Sequence, residues 1–170
     1  MILRKNEFLR LLSDQPLLLD PTDGTETLAQ ATDVFGYIDL DFRNWDLNHP
    51  SPSTPATPVR VWEQIQDGTF RNLFDSLRVD RNRLCLTQAQ IKGFVKKHRQ
   101  WLRIEGYSTS FLFKKEKKEK EEEEKKGSSF FVAFVYVGSG GRLAVHVYRL
   151  EYSYVWPAEY RHRLVASQLA

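Results

Sequence analysis

The sequence predicts an α+β fold in which N-terminal helices pack on a C-terminal antiparallel sheet of about four strands. Apolar residues recur with helical spacing before residue 104 and alternate with period two after residue 106. Strands and helices do not alternate along the chain, which argues against a parallel, doubly wound sheet. The 170 residues suffice for one domain, 1–170, with a core of its own.

The chain divides by composition into an acidic part, 1–58, a helical part, 59–103, and a sheet part, 104–170. The acidic part carries 4 Lys or Arg against 9 Asp or Glu, whereas residues 59–113 carry 10 against 5. Four prolines within 49–58 indicate a semi-rigid connector. Two interpretations of the charge stay open: the two parts attract each other within the fold, or a basic surface meets an anionic partner.

The acidic part carries weak secondary-structure signals. Residues 3–13 have the apolar spacing of a short amphipathic helix, and 25–31 can form one or two helical turns. Residues 34–42 alternate apolar with acidic side chains, which favours a half-buried strand. A helix stays open for this last segment because Gly36 and two aspartates weaken the strand signal.

The helical part predicts three helices. A Thr-Pro pair supplies an N-cap and a first-turn proline for a helix over 57–65. Apolar spacing predicts a second helix over 69–77. The third, over 87–102, has the clearest signal because Thr87 and Gln90 form a capping box ahead of an apolar face.

The sheet part predicts four strands by period-two alternation, over 107–113, 130–137, 142–150 and 160–165. A Gly-x-Gly-Gly turn joins the second strand to the third and suits a hairpin. Residues 151–155 continue the third strand or begin another. The Lys/Glu run, 114–126, is interpreted as an exposed hairpin insertion because its lysines and glutamates cannot enter a core.

The C-terminal strands carry residue types that suit general acid–base cleavage of a phosphodiester. If neighbouring strands bring them together, His or Glu can move a proton and Arg can stabilise the charge that develops on phosphate. The candidate catalytic residues are His146, Glu159, Tyr160, His162 and Arg163. The same residue types are common on an exposed sheet face, so a purely structural interpretation stays open.

A second candidate surface lies on the helix predicted over 87–102. Lys92, Lys96, Arg99 and Arg103, called here the basic stripe, recur on one helical face and can follow a phosphate backbone. Arg161 adds a further candidate contact to nucleic acid. A solvated helix face also carries Lys and Arg, so the stripe alone does not distinguish the two interpretations.

The sequence predicts neither a metal nor a cofactor. It lacks Walker, G-x-S-x-G and H-E-x-x-H patterns, and its single cysteine excludes a Cys-cluster zinc site. A signal peptide and an apolar stretch of about 20 residues are also missing from it. We therefore expect a cytoplasmic protein with no membrane contact.

Several segments have residue patterns distinctive enough to suggest a protein family. They are Asp67–Phe70, Leu84–Val95, His98–Tyr107, Phe111–Phe113 and Val155–Arg163. Together they resemble a family of short proteins encoded by candidate-phylum bacteria, over roughly residues 33–168. That family has no assigned activity, so the resemblance implies none. The Lys/Glu run departs from the family pattern, in which a short turn is expected.

Two functional hypotheses follow. In the first, the protein is a non-enzymatic binding module that meets a protein partner or RNA through the aromatic and basic sheet face or through helix 87–102. In the second, it is a small RNA-binding protein or toxin-like endoribonuclease, an analogy of architecture alone. Clustering of His146, Tyr160, His162 and Arg163 around one pocket favours the nuclease, and their separation favours the binding module.

Overall fold

The described chain is organised around one mixed β-sheet with helices on both faces. The computed structural model describes residues 6–116 and 129–167. The strands are β1 (Leu9–Leu11), β2 (Leu17–Leu19), β3 (Tyr37–Ile38), β4 (Thr57–Gln64), β5 (Ser108–Lys114), β6 (Phe130–Val137), β7 (Leu143–Arg149) and β8 (Arg163–Ser167). The α-helices are α1 (Asp41–Asn44), α2 (Phe70–Asp75), α3 (Arg81–Leu84) and α4 (Gln88–Lys97). One-turn 3₁₀ helices lie at Leu28–Gln30, Arg99–Trp101, Ser139–Gly141 and Ala158–Tyr160.

The strand order places the last described strand at the centre of the sheet. The order is β1-β4-β8-β5-β6-β7-β3, and β2 also pairs with β4. β8 is antiparallel to β4 and parallel to β5, and β3 is parallel to β7. β8 therefore joins strands from the two halves of the chain.

The predicted arrangement of N-terminal helices on a four-stranded antiparallel sheet is wrong. Of the strands in the described residues, four precede residue 65, and two of the pairings are parallel. The segment predicted as a helix over 57–65 is strand β4. Val59 and Val61 are fully buried and alternate with less buried residues, and pairing with three other strands overrides the helix-start signal of the Thr-Pro pair.

Two further N-terminal predictions are corrected by pairing with distant strands. Residues 3–13, predicted as a helix, contain β1, in which Leu9 pairs with Gln64. The strand predicted over 34–42 is only the two residues of β3, after which the chain enters α1. Helix α1 begins where the Asp39 carboxylate accepts the Asp41 N–H at 3.0 Å.

The two clearest helix predictions are confirmed in position. Helices α2 and α4 begin at Thr69 and Thr87, and each threonine forms a capping box with the residue three positions later. Helix α4 ends at Lys97, and a 3₁₀ turn continues the predicted helix to Trp101.

The Thr87 cap gives a stability prediction. Thr87→Ala removes the hydroxyl that accepts the Gln90 N–H, so we expect the free energy of unfolding to fall by about 1 kcal/mol. Urea denaturation measures this change. Thr87→Ser keeps the acceptor and serves as the matched control, with an expected change of a few tenths of a kcal/mol. Equal losses in both variants would contradict the capping role.

Two apolar cores cover the two faces of the sheet. On the first face, Ile91, Phe94 and Val95 of α4 pack against strands that include Val61 and Phe111. On the second face, α2 and α3 cover one end of the sheet, with a core formed by Phe70, Leu73, Phe74, Leu84, Leu112, Val132 and Leu164. Because β5 is covered on both faces, six consecutive residues from Ser108 to Phe113 are buried.

The Lys/Glu run connects the two strands of one hairpin. Lys114 at the end of β5 pairs with Phe130 of β6, and the Lys115 N–H donates to the Ser129 carbonyl at 2.8 Å. Residues 117–126 of the run lie outside the described residues.

Within the described ranges, none of the helices is long and apolar enough to cross a membrane.

Candidate functional site

The acidic and basic parts of the chain attract each other within the fold. Lys92 is buried, and its Nζ lies 3.3 Å from Glu26 Oε2 and 3.1 Å from Asp33 Oδ1. The hydrogen bond from Lys92 holds the pKa of the Asp33 carboxyl below its usual value. Lys97 pairs with Asp20 at 2.8 Å. These pairs support the interpretation in which the two parts neutralise one another.

The remaining cations of the basic stripe also bind protein groups, with one exception. Arg99 donates to the Gly141 carbonyl. Arg103 Nε donates to the carbonyls of Tyr160 and Arg161, at 3.3 and 3.2 Å. Lys96 is exposed, and among the described residues it has no hydrogen bond or ion pair. Of the four stripe cations, Lys92 is therefore paired with carboxylates, and the guanidinium groups of Arg99 and Arg103 are held in place by backbone carbonyls.

The strand order separates the predicted catalytic histidines. His146 lies on β7 and His162 directly precedes β8, and β5 and β6 lie between these two strands. Three strand spacings put roughly 14 Å of sheet between them. Within the predicted set, Tyr160 and His162 do lie close together, with ring centroids 5.9 Å apart.

The other two members of the predicted set lie elsewhere. Arg163 belongs to the first face, where its Nη1 donates to the Trp101 carbonyl at 2.9 Å. Glu159 is exposed on the 3₁₀ turn that precedes β8. The predicted acid, base and cation therefore do not converge on a common atom.

His162 is held in a neutral, buried state. Its side chain is 6% exposed, and its Nδ1 accepts both the Ser108 N–H at 3.0 Å and the Ser108 hydroxyl at 2.7 Å. Both donors require an unprotonated Nδ1, which leaves the proton on Nε2. Burial, with a smaller contribution from the nearby Arg103 charge, lowers the pKa of His162 to about 4. Ser108 is fully buried, so this hydroxyl–imidazole pair is closed to a substrate.

A polar row crosses the second face at the level of His162. The strand register places Gln64, His162, Ser108 and Tyr136 side by side. Trp156 lies over this row, because its carbonyl accepts the Gln64 amide at 2.7 Å and its ring centroid is 5.5 Å from that of His162. Gln64 Oε1, Trp156 Nε1 and His162 Nε2 are buried with no partner among the described residues. Only the strand order reveals this row.

His146 lies in a different environment from His162. Its Nδ1 is 3.6 Å from Asp39 Oδ2, and its ring stacks on Tyr136 with centroids 5.4 Å apart and planes at 9°. Tyr37 contacts the same imidazole, at 5.1 Å. The Asp39 carboxylate also accepts the Val147 N–H at 3.1 Å. This hydrogen bond satisfies a backbone donor on the edge of β7, past the point where its pairing with β3 ends.

The helices leave an aromatic surface uncovered on the second face. It consists of Tyr37, Tyr136, His146, Tyr148, Tyr152, Tyr154 and Trp156. Ring centroids are 4.9 Å apart for Tyr148 and Tyr152 and 4.7 Å apart for Tyr154 and Trp156. Tyr37, Tyr152 and Tyr154 are 50%, 43% and 47% exposed. The sequence hinted at this surface only through the tyrosines that follow residue 147.

A loop after β7 positions the outer part of the aromatic surface. Residues 151–155, expected as strand, instead run across the second face. Trp156 exchanges backbone hydrogen bonds with Gly68, and its ring packs on Phe70 at 5.1 Å and on Phe134 at 5.0 Å. Trp156 therefore anchors the exposed tyrosines to the core of the second face.

Two grooves of the described surface lie away from the candidate catalytic residues. One, of about 500 Å³, lies between the loop 20–26 and α4. Another, of about 540 Å³, lies beside Tyr152 and α2. No candidate catalytic residue lines either groove.

Burial raises the pKa of the Cys85 thiol to about 12, so this cysteine is a poor nucleophile.

Metal-ligating side chains do not cluster in the part of the chain that the structure describes. Within residues 6–116 and 129–167, no three His, Cys, Asp or Glu side chains lie close enough to hold one ion. Asp39 accepts the Val147 N–H at the edge of β7, and His49 Nε2 lies 2.6 Å from Asp46 Oδ1.

Known proteins give no further guidance on the site. Comparisons with protein-family models, with curated proteins and with solved structures found no match to the chain. Function is therefore inferred from the side chains that the fold exposes.

Proposed function

We propose that this protein is a non-enzymatic binding module whose contact surface is the aromatic surface. The observation that carries the proposal is a set of Tyr, His and Trp rings on one sheet face, of which Tyr37, Tyr152 and Tyr154 are 50%, 43% and 47% exposed. Aromatic residues are enriched at binding interfaces because they bring a large contact area at a low cost in side-chain entropy.

The placement of the predicted catalytic residues supports binding rather than catalysis. His146 and His162 have different partners and are separated by two intervening strands, and Arg163 lies on the opposite face. General acid–base catalysis requires both groups within hydrogen-bond reach of one reacting centre. Separation of these residues is the arrangement expected for a binding module.

Site-specific photo-cross-linking tests the proposed surface. A photoreactive phenylalanine analogue replaces Tyr152 or Tyr154 in the full chain, expressed in cells that make the protein naturally. We expect discrete cross-linked adducts from both positions, because both rings are nearly half exposed on the contact surface.

Leu18 provides the control position for this experiment. It is 52% exposed but lies on β2, at the opposite edge of the sheet from Tyr37. Adducts from positions 152 and 154 but not from 18 would support the proposal. Equal adduct formation from all three positions, or none from any, would contradict it.

A further inference from the structure

We infer that the partner is a single-stranded nucleic acid whose bases stack on the aromatic surface. This inference rests on the proposed function and adds the chemical class of the partner.

The exposed rings suit stacking with nucleobases. Tyr37, His146 and Tyr136 form a continuous row across β3, β7 and β6, with neighbouring centroids 5.1 and 5.4 Å apart. Tyr152 and Tyr154 extend the surface with centroids 6.3 Å apart and planes at 20°. Stacking of a base on an aromatic ring stabilises a complex by about 1–3 kcal/mol and accepts any base, because every base has a π-face.

Cations lie on both sides of the aromatic surface. Arg142 lies against Gly36, beside Tyr37. On the other side, the Arg103 guanidinium lies 4.9 Å above the Tyr107 ring, which stacks on Tyr160 at 5.0 Å. This layered group shows that the protein already stacks planar groups at this end of the sheet.

Exposed arginines lie beside rings at two places. Arg142 lies near Tyr37, and Arg161 follows Tyr160 in the chain. Glu151 and Glu159 are also exposed near the rings, so phosphate contact is assigned to the two arginines and not to the surface as a whole.

The position of the rings favours single strands over duplexes. In a duplex the bases are stacked on one another, so tyrosines on a broad sheet face cannot reach their π-faces. The loop that carries Tyr152 and Tyr154 exposes one aliphatic side chain, Val155, so ring faces provide most of its apolar contact area.

Fluorescence anisotropy tests the inference with defined probes. The full-length protein is titrated into a labelled 12-nucleotide RNA of mixed sequence, the DNA of the same sequence, and the RNA duplex. We expect both single strands to bind at least tenfold more tightly than the duplex. The affinity for the single strands should also fall as salt is raised.

Matched variants locate the contact. Tyr154→Ala should weaken single-strand binding about tenfold, whereas Tyr154→Phe keeps the ring and should stay within about twofold of the parent. Arg142→Glu should weaken binding several-fold. Lys96→Glu makes the same change of charge on α4, over the opposite face, and should leave the affinity within about twofold.

The outcomes separate the partner class from the surface. Equal affinity for duplex and single strands, or equal losses from Lys96→Glu and Arg142→Glu, would overturn base stacking on this face. If no nucleic acid binds while cross-links from positions 152 and 154 persist, the partner class is wrong and the binding module stands. If both measurements fail, both proposals are wrong. Circular dichroism of each variant verifies folding.

Discussion

Replacing Val61 with aspartate is expected to lower the free energy of unfolding by about 3–5 kcal/mol. Val61 is fully buried in the core of the first face, near the middle of β4. A carboxylate at this position would be dehydrated without a cationic partner, which is among the most destabilising of single changes. Equilibrium denaturation in urea, followed by circular dichroism, measures the loss.

The control for Val61 is its neighbour Arg60. Arg60 points to the other face of β4 and is partly exposed, so Arg60→Asp should cost less than about 1 kcal/mol. In a helix over the same segment, burial would not alternate between successive side chains. Losses of similar size at Val61 and Arg60 would therefore contradict the assignment of 57–64 to the sheet.

Lowering the pH from 6.5 to 4 is expected to remove up to about 3 kcal/mol of stability through His162. Burial lowers its folded-state pKa to about 4, whereas the unfolded value is near 6.5. The unfolded state therefore takes up a proton that the folded state resists. The contribution of His162 is complete above pH 6.5 and is lost as the pH falls towards 4.

The variant His162→Gln isolates this effect. Glutamine cannot take up the proton. Between pH 6.5 and 4, the free energy of unfolding of the variant should therefore fall by about 3 kcal/mol less than that of the parent protein. Carboxylates such as Asp33 titrate alike in both proteins and cancel in the comparison. Parallel pH profiles for the two proteins would show that His162 is not the group responsible.

The C-terminal half of the sheet was predictable because its strands are long and follow each other in hairpins. The segments expected over 107–113, 130–137 and 142–150 correspond to β5, β6 and β7. β8 begins three residues later than expected, at Arg163, because a 3₁₀ turn and the left-handed backbone of Arg161, with φ of 51°, precede it. Local alternation was sufficient for these strands.

The first three strands were not predictable because they are short and pair with distant partners. β1, β2 and β3 contain three, three and two residues, too few to show a period. Leu17 of β2 pairs with Val59 of β4, and Tyr37 of β3 pairs with Ala144 of β7, which lies far along the chain. Such strands exist only because the neighbouring strand provides hydrogen bonds, which no local pattern records.

The candidate site was predicted in composition but not in arrangement. The alternation of β7 correctly places His146 and Tyr148 on one face. It cannot say that β8 pairs with β4 and β5 rather than with β7, and this strand order separates His146 from His162. The tyrosines of the loop 151–155 become a surface only through the docking of Trp156 on Phe134 and Phe70.

The central position of β8 has a consequence for synthesis on the ribosome. Until residues 163–167 leave the exit tunnel, β4 and β5 each expose an unpaired edge, and the two halves of the sheet cannot join. A nascent chain stalled before this point would present aggregation-prone strands to chaperones. The two halves of the sheet can therefore join only after β8 has emerged.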